Sequence, residues 1–314
     1  MILMLKKVIL NNWKSDIEGY AQSITELEHS GYPAWTVKYD DSYGVAIPYE
    51  GSDDINESFT SAKIRSANIK FHDGNIRRAL VLTSDAQEIR IQFSSLCEAL
   101  IDPGDDGSQR ALVEATPLIW WKEWKELLGN KNIDERIYDV LGELCVLKHL
   151  INLGEDAEWN GPDGASYDIE AEERFVEVKS SIKRDCTEVT ISSEFQLFPP
   201  GKKLNLIFCR FEPAIMSGIS IDSILEEFYQ LGYNTDLLNT KLEMLGFEKG
   251  MSARKRKFIL HQMLQYNVDD SFPCVTPESF IGGVMPPGIQ KITFTADLTG
   301  LQPISLLQGE LNEV

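Results

Sequence analysis

The sequence predicts a mixed α/β (α+β) fold in three segments: a β-rich domain over 1–118, an α/β core over 119–212 and a mainly helical domain over 213–314. Three observations carry this expectation. β-Branched and aromatic runs separated by turn residues fill the first third of the chain. Residues 133–211 read helix, strand, strand, strand, short helix, strand. Beyond residue 213 the apolar positions recur every three or four residues, with glycines as stops.

The first segment opens with a helical pattern over 11–30, where Trp13, Ile17, Tyr20, Ile24 and Leu27 share a face. Strands follow at 35–39, 43–47, 62–71, 78–82 and 88–93. Acidic and glycine-bearing turns at 40–41, 51–54, 73–75 and 84–85 separate them. A short helix over 96–101 closes the domain, and Asp102 to Ser108 is the clearest linker. Trp120, Trp121 and Trp124 come next, interleaved with Lys122 and Lys125. Such a run can stack on bases, but tryptophans at this spacing are read first as helix packing.

In the core, 133–153 is the most convincing helix. Ile137, Val140, Leu141, Leu144, Leu147 and Ile151 form its stripe, and Gly154 stops it. Residues 155–162 read as a polar loop, 167–169 and 175–179 as a strand pair, and 188–192 as a further strand. A short helix starts at 193–197 and ends at the Pro199, Pro200, Gly201 run; 204–211 is a buried strand. The rear carries helical patterns at 223–231, 235–245 and 254–266. A β segment at 289–295 and a frayed acidic tail after Leu307 complete it.

Composition narrows the class. With 43% apolar and 25% charged residues, 314 positions make a globular chain with room for two or three domains. The run Met1 to Leu10 is broken by Lys6 and Lys7 and is too short for a signal peptide or a span; no stretch reaches the ~18 apolar residues a span needs. The five cysteines are dispersed and odd in number, which reads as reduced, mostly buried thiols of a cytoplasmic protein. The four scattered histidines argue against a histidine metal cluster. The net charge of −19 divides as −7, −7 and −5 over the three segments, so any nucleic-acid-facing patch must be local.

The chemistry concentrates at 164–181. Asp168 sits on the first strand of the pair. On the second, Phe175, Glu177 and Lys179 share one face and Val176 and Val178 the other. Two carboxylates and an ammonium together can hold a divalent ion beside a water molecule. Oxygen ligands suit Mg²⁺ or Mn²⁺. The carbonyl of Val178 offers a third ligand, Lys179 can touch both water and phosphate, and Gln196 can approach from the next helix. Glu143 alone in its helical stripe reads as an acid reaching for solvent; the strand pair makes it a candidate for the same metal. Glu170, Glu172 and Glu173 read as solvated turn residues.

Asp168, eight intervening residues, then Glu177, Val178 and Lys179 resembles the signature of the PD-(D/E)XK nuclease superfamily. Gly142 and Glu143 match its helix-borne acid, and the element order is similar to its restriction-endonuclease-like αβββαβ core. Tyr167 stands where that motif often has proline. The whole layout, with Phe93 to Glu98, Leu141 to Leu144 and Ile191 to Leu197, resembles the bacterial PD-(D/E)XK motif proteins of restriction and phage-defence clusters. The resemblance implies a Mg²⁺-dependent endonuclease acting on DNA and leaving a 5′-phosphate. It implies residence in a homodimer or in a larger complex with ATPase or methyltransferase subunits. Lys183, Arg184, Lys202 and Lys203 border the motif in sequence, and Arg254, Lys255, Arg256 and Lys257 form the strongest basic run; these are the candidate DNA contacts. Two other readings stand beside this one. The substrate is RNA or single-stranded or branched DNA, or the fold is a non-catalytic assembly subunit.

Overall fold

In a computed structural model the described residues are 2–14, 21–39, 41–59, 61–71, 74–127, 133–197, 201–275, 279–284 and 286–307. The chain packs as two compact units rather than the three expected. One is 1–131 with 246–252; the other is 132–245 with 253–314. None of the described helices is long and apolar enough to cross a membrane.

The first unit holds α1 (Ile2–Asn12), β1 (Gln22–Ser23), α2 (Thr25–His29), β2 (Trp35–Tyr39), β3 (Ser42–Pro48), β4 (Asn56–Phe59), β5 (Ala62–Lys70), β6 (Ile76–Ser84), α3 (Arg90–Ile101), α4 (Ser108–Ala115) and α5 (Pro117–Leu127). Its strands form one antiparallel sheet ordered β1-β2-β3-β6-β5-β4. Tyr43, Val45, Ile47, Ile64, Leu80 and Leu82 alternate onto one face, where they meet helical residues such as Leu5, Ile9, Phe93 and Leu96.

Two expectations fail here. The helix drawn over 11–30 is not one element: α1 lies ahead of it, in the lysine-broken apolar run, and β1 and α2 divide the rest. Trp13, Ile24 and Leu27 are all buried, but Trp13 follows α1 whereas Ile24 and Leu27 belong to α2 and its cap, while Ile17 and Tyr20 fall outside the described residues. The strand drawn over 88–93 is a 3₁₀ turn (Gln87–Ile89) running into α3. Six alternating residues are ambiguous; Phe93, Leu96, Cys97, Leu100 and Ile101, all buried, show the helical period that prevails. Trp120 and Trp121 are buried in this unit's core with Trp124 packed against it, so packing is the correct reading of the tryptophan run. This also moves the end of the first unit from 118 to 131.

The second unit holds α6 (Ile133–Asn152), β7 (Ala157–Trp159), β8 (Ile169–Ala171), β9 (Arg174–Ser181), β10 (Glu188–Ile191), β11 (Lys203–Ala214), α7 (Ile221–Gln230), α8 (Thr235–Met244), β12 (Lys257–Asn267), β13 (Phe294–Asp297) and β14 (Ile304–Ser305). Its main sheet is ordered β14-β12-β11-β9-β8-β7. β9 and β11 run parallel, and the other neighbours are antiparallel. The parallel pair requires a crossover, which contains the 3₁₀ turn Glu194–Leu197 in place of the expected α-helical start. Its expected proline stop at 199–200 lies outside the described residues.

The helix–three strands–strand core is present, but the strands differ from those expected. The segment read as a loop contains β7, which pairs with β8. The third strand expected, at 188–192, leaves the main sheet and pairs with β13 as a separate ribbon. Only the end of the β segment drawn over 289–295 is a strand. The rear is less helical than expected, because most of 254–266 forms not a helix but β12, paired with Asn205–Ala214 of β11. A register shift between Arg210 and Phe211 leaves one extra residue on β12 at His261. That bulge breaks the two-residue period, so Phe258, Ile259, Met263 and Tyr266 mimic helical spacing.

α6 lies close against β9 because position 142 has no side chain. A Cβ there would lie 2.1 Å from Ser180 Oγ and 3.4 Å from Val178 Cγ1. Ile137, Leu141, Leu144 and Leu147 of α6 are fully buried, each side chain contributing about 1.5–3 kcal/mol. This packing fixes the height at which Glu143 stands relative to the β8–β9 hairpin.

Candidate active site

The β8–β9 pairing sets the geometry. Ile169 faces Val176 and Glu170 faces Phe175. One step further along the same register, Asp168 stands beside Glu177. Asp168 itself lies just ahead of β8, not within a strand as expected. Its carbonyl accepts the N–H groups of Asn160 (2.8 Å) and Gly161 (3.0 Å), and its Oδ2 accepts the Val178 N–H at 2.7 Å. The backbone thus holds the carboxylate against β9 between Glu177 and Lys179. On a strand, N–H and C=O of one residue point to the same side. The Val178 carbonyl therefore also points to the Asp168 side, past the last β8–β9 pair.

Lys179 Nζ lies 2.7 Å from Glu177 Oε1. Gln196 Nε2 donates to the same oxygen at 2.9 Å, while Gln196 Oε1 accepts the Ser192 N–H at 2.7 Å. The short turn after β10 thereby aims an amide at the carboxylate. Glu177 is 1% exposed, and its Oε2 is buried with no hydrogen-bond partner among the described residues. A buried carboxylate oxygen without a donor is costly.

Glu143 approaches from α6. Its Oε2 accepts the Trp159 indole N–H at 2.5 Å. A Cβ at Gly161 would lie 3.0 Å from that oxygen and 3.1 Å from Asp168 Oδ1, so a larger residue would crowd both acids. They line a cavity of about 150 Å³ together with Arg136 and Asp139.

Burial and crowding shift these groups. Glu143 is raised well above the usual carboxylate range by burial and then by Asp168, with the Trp159 N–H opposing. Asp168 is raised by burial, against the Val178 N–H and the Lys179 charge. Glu177 is pushed up to about 8 by burial and by Asp168, with Lys179 opposing. Burial alone would lower Lys179, but Glu177 and then Asp168 more than reverse it, so its pKa is raised and the ammonium persists. Burial and mutual repulsion thus raise three neighbouring carboxyl groups, a crowding that a divalent ion relieves.

The donor set fits such an ion. Among the described residues no three His, Cys, Asp or Glu side chains form a ligand cluster by themselves. An ion here would rest on Asp168, the orphaned Glu177 Oε2, the Val178 carbonyl and water. That suits Mg²⁺ or Mn²⁺, which accept oxygen ligands and retain waters, better than zinc.

The structure thus gathers Asp168, Glu177, Lys179 and Gln196 tightly, with Glu143 reaching Asp168 from the helix. It does not gather the basic residues. Arg254 is 1% exposed, with Nε 2.8 Å from Asp222 Oδ1 and Nη2 2.7 Å from Asn239 Oδ1. It ties α7 and α8 together and is not open to DNA. Lys257 donates to the Met216 carbonyl. Arg184 pairs with Glu212 at 2.6 Å; Lys202 pairs with Glu170 at 2.7 Å and lies over Phe175. Lys183, Lys203, Lys255 and Arg256 are exposed. The basic run at 254–257 belongs to a 3₁₀ turn and a strand start, so its residues do not share a helix face.

Sequence reasoning missed Trp159, Gly161, Arg136 and Asp139. The last two were findable: they precede Glu143 by seven and four residues on α6, the spacing of one helix face. Trp159 lies on a three-residue strand too short to show a period.

A family model described as "Putative PD-(D/E)XK family member, (DUF4420)" matches residues 10–299. No curated protein and no solved structure matches the chain.

Proposed function

The chain belongs to this PD-(D/E)XK family, and from that premise we propose that it is a Mg²⁺-dependent endonuclease that hydrolyses DNA phosphodiester bonds. The observation that carries the proposal is the orphaned Glu177 Oε2, buried beside Asp168 and Lys179. Asp168, Glu177 and the Val178 carbonyl would hold Mg²⁺, or Mn²⁺ in its place. Bound there, the ion would polarise the phosphate and acidify a water molecule. Lys179 orients that water and neutralises charge on the phosphate. Gln196 keeps Glu177 in place, and Glu143, steadied by Trp159, flanks Asp168. In-line attack would leave a 5′-phosphate, as the superfamily resemblance implies. Arg136 lines the cavity and would meet a phosphate oxygen there.

One such site cuts one strand. Double-strand cleavage therefore requires a second copy or a larger assembly, and a restriction or phage-defence complex with ATPase or methyltransferase subunits is the setting the reading favours. Incubation of the full chain with supercoiled plasmid DNA, with Mg²⁺ or with EDTA, tests it. Nicking or linearisation is expected only with Mg²⁺, and parallel digestion of RNA and single-stranded DNA ranks the substrates. Equal DNA recovery in both conditions, alone and with its assembly partners, would leave the non-catalytic reading.

A further inference from the structure

The first unit carries a second polar cavity, of about 220 Å³, at one end of its antiparallel sheet. Three chain segments meet there: the β2–β3 turn, the β4–β5 turn and the end of β6. Lys63 and Arg65 are two residues apart on β5 and so share a face. Thr83 on β6 stands directly opposite Lys63. Ser42, Ser61 and Ser84 add hydroxyls, and Tyr39, paired with Ser42, adds a half-buried ring. One carboxylate, Asp85, also lines the cavity.

Two groups there are open to a ligand. Thr83 is 7% exposed and its hydroxyl has no partner among the described residues. Arg65 is exposed and has no carboxylate partner among them, in a chain where 49 acids outnumber 30 bases. Lys63 is held at 2.7 Å by Glu248, with the two side chains 48% and 30% exposed. A pair so open to solvent binds weakly and yields readily to another anion. The volume falls below the ~300–1,000 Å³ of small-molecule sites, enough for a phosphate and part of its sugar.

We propose that this cavity is a non-catalytic site for a phosphate of a DNA strand, gripped by Arg65 and Lys63 and by the hydroxyls of Thr83, Ser42 and Ser61. Arg65 supplies the fork that matches phosphate oxygens. Glu248 is the anion the phosphate displaces from Lys63. The site gives an acidic protein a local cationic hold on its substrate. That the phosphate belongs to a DNA strand rests on the endonuclease reading; the anion chemistry of the cavity does not.

The test is fluorescence anisotropy with the full chain in EDTA, where no cleavage occurs, using a labelled DNA duplex over a salt series and inorganic phosphate as competitor. Arg65→Ala is expected to weaken binding by roughly 5-fold or more and to lower the salt slope by about one. Arg65→Lys should keep the slope, and Glu248→Gln should tighten binding. Because the Arg65 side chain is exposed, unchanged melting of these variants is expected as the folding control. The proposal is overturned if Arg65→Ala and Lys63→Ala leave affinity and slope unaltered, if the wild type does not bind, or if inorganic phosphate displaces the duplex at equal concentration. Arg65-dependent binding without Mg²⁺-dependent cleavage would sink the endonuclease reading alone. Cleavage with Arg65-independent binding would sink this one alone.

Discussion

Replacing Lys179 by alanine is expected to abolish cleavage while leaving the fold and its response to Mg²⁺ in place. The expected loss in kcat is about 10³-fold, the range for removing one positioned proton-transfer or charge-stabilising group. Lys179 is placed for that role by its partners: Nζ sits 2.7 Å from a carboxylate that is itself fixed by Gln196. A merely structural lysine would behave differently. Its loss would lower stability, and cleavage would fall in step with melting temperature. The two are separated by measuring Mg²⁺-induced thermal stabilisation alongside kcat. Stabilisation retained with kcat lost fits a group acting on water and phosphate. Arg in this position is not expected to rescue, because a planar fork cannot reproduce a compact ammonium in a site already filled by Glu177 and Asp168.

The second large effect is on stability, and it depends on pH. Glu177 titrates near 4.5 in an unfolded chain and is pushed up to about 8 in the fold by burial and by Asp168. The metal-free fold therefore gains stability from this group fully below about pH 4.5 and loses it as pH rises through about 8. Mg²⁺ binding requires the proton to leave, so its effect runs the opposite way. At a hundredfold excess over its Kd the ion adds about 2.7 kcal/mol. Each pH unit below about 8 costs the ion about 1.4 kcal/mol for displacing that proton. The stabilisation by Mg²⁺ should thus be near its full size at pH 8.5 and nearly absent at pH 6. Melting curves with and without Mg²⁺ across that range check it. A Mg²⁺ shift independent of pH, or one that survives Glu177→Gln, would place the ion elsewhere.

Much of the site was legible in sequence, and the reason is covalent. Asp168, Glu177 and Lys179 lie on one hairpin, so their spacing along the chain nearly dictates their spacing in space. Glu143 was legible because the apolar stripe of α6 is long and regular, which fixes its register against the sheet. Gln196 owes its place to long-range pairing: it reaches Glu177 only because a crossover between parallel strands returns its turn to β9. What was lost depended on distant pairing. β7 is three residues long and exists because β8 lies beside it. β12 carries a bulge that gives its apolar residues a helical spacing. Arg254 looked like a surface cation because sequence does not reveal the carboxylate of Asp222, thirty-two positions earlier, that takes it into the interior. The first unit's cavity was equally invisible, since its cations lie on β5 and its hydroxyls on β3, on β6 and before β5, which only the sheet brings together.

The proposed metal site at the β8–β9 hairpin is tested most directly by diffraction from crystals soaked in Mn²⁺, recorded at the manganese absorption edge. One anomalous peak is expected within bonding distance of Asp168, Glu177 Oε2 and the Val178 carbonyl, about 2.0–2.2 Å for a small octahedral cation. Lys179 should remain beside it. No peak at the hairpin under saturating Mn²⁺, with Glu177 Oε2 still buried and unpartnered, would contradict the account.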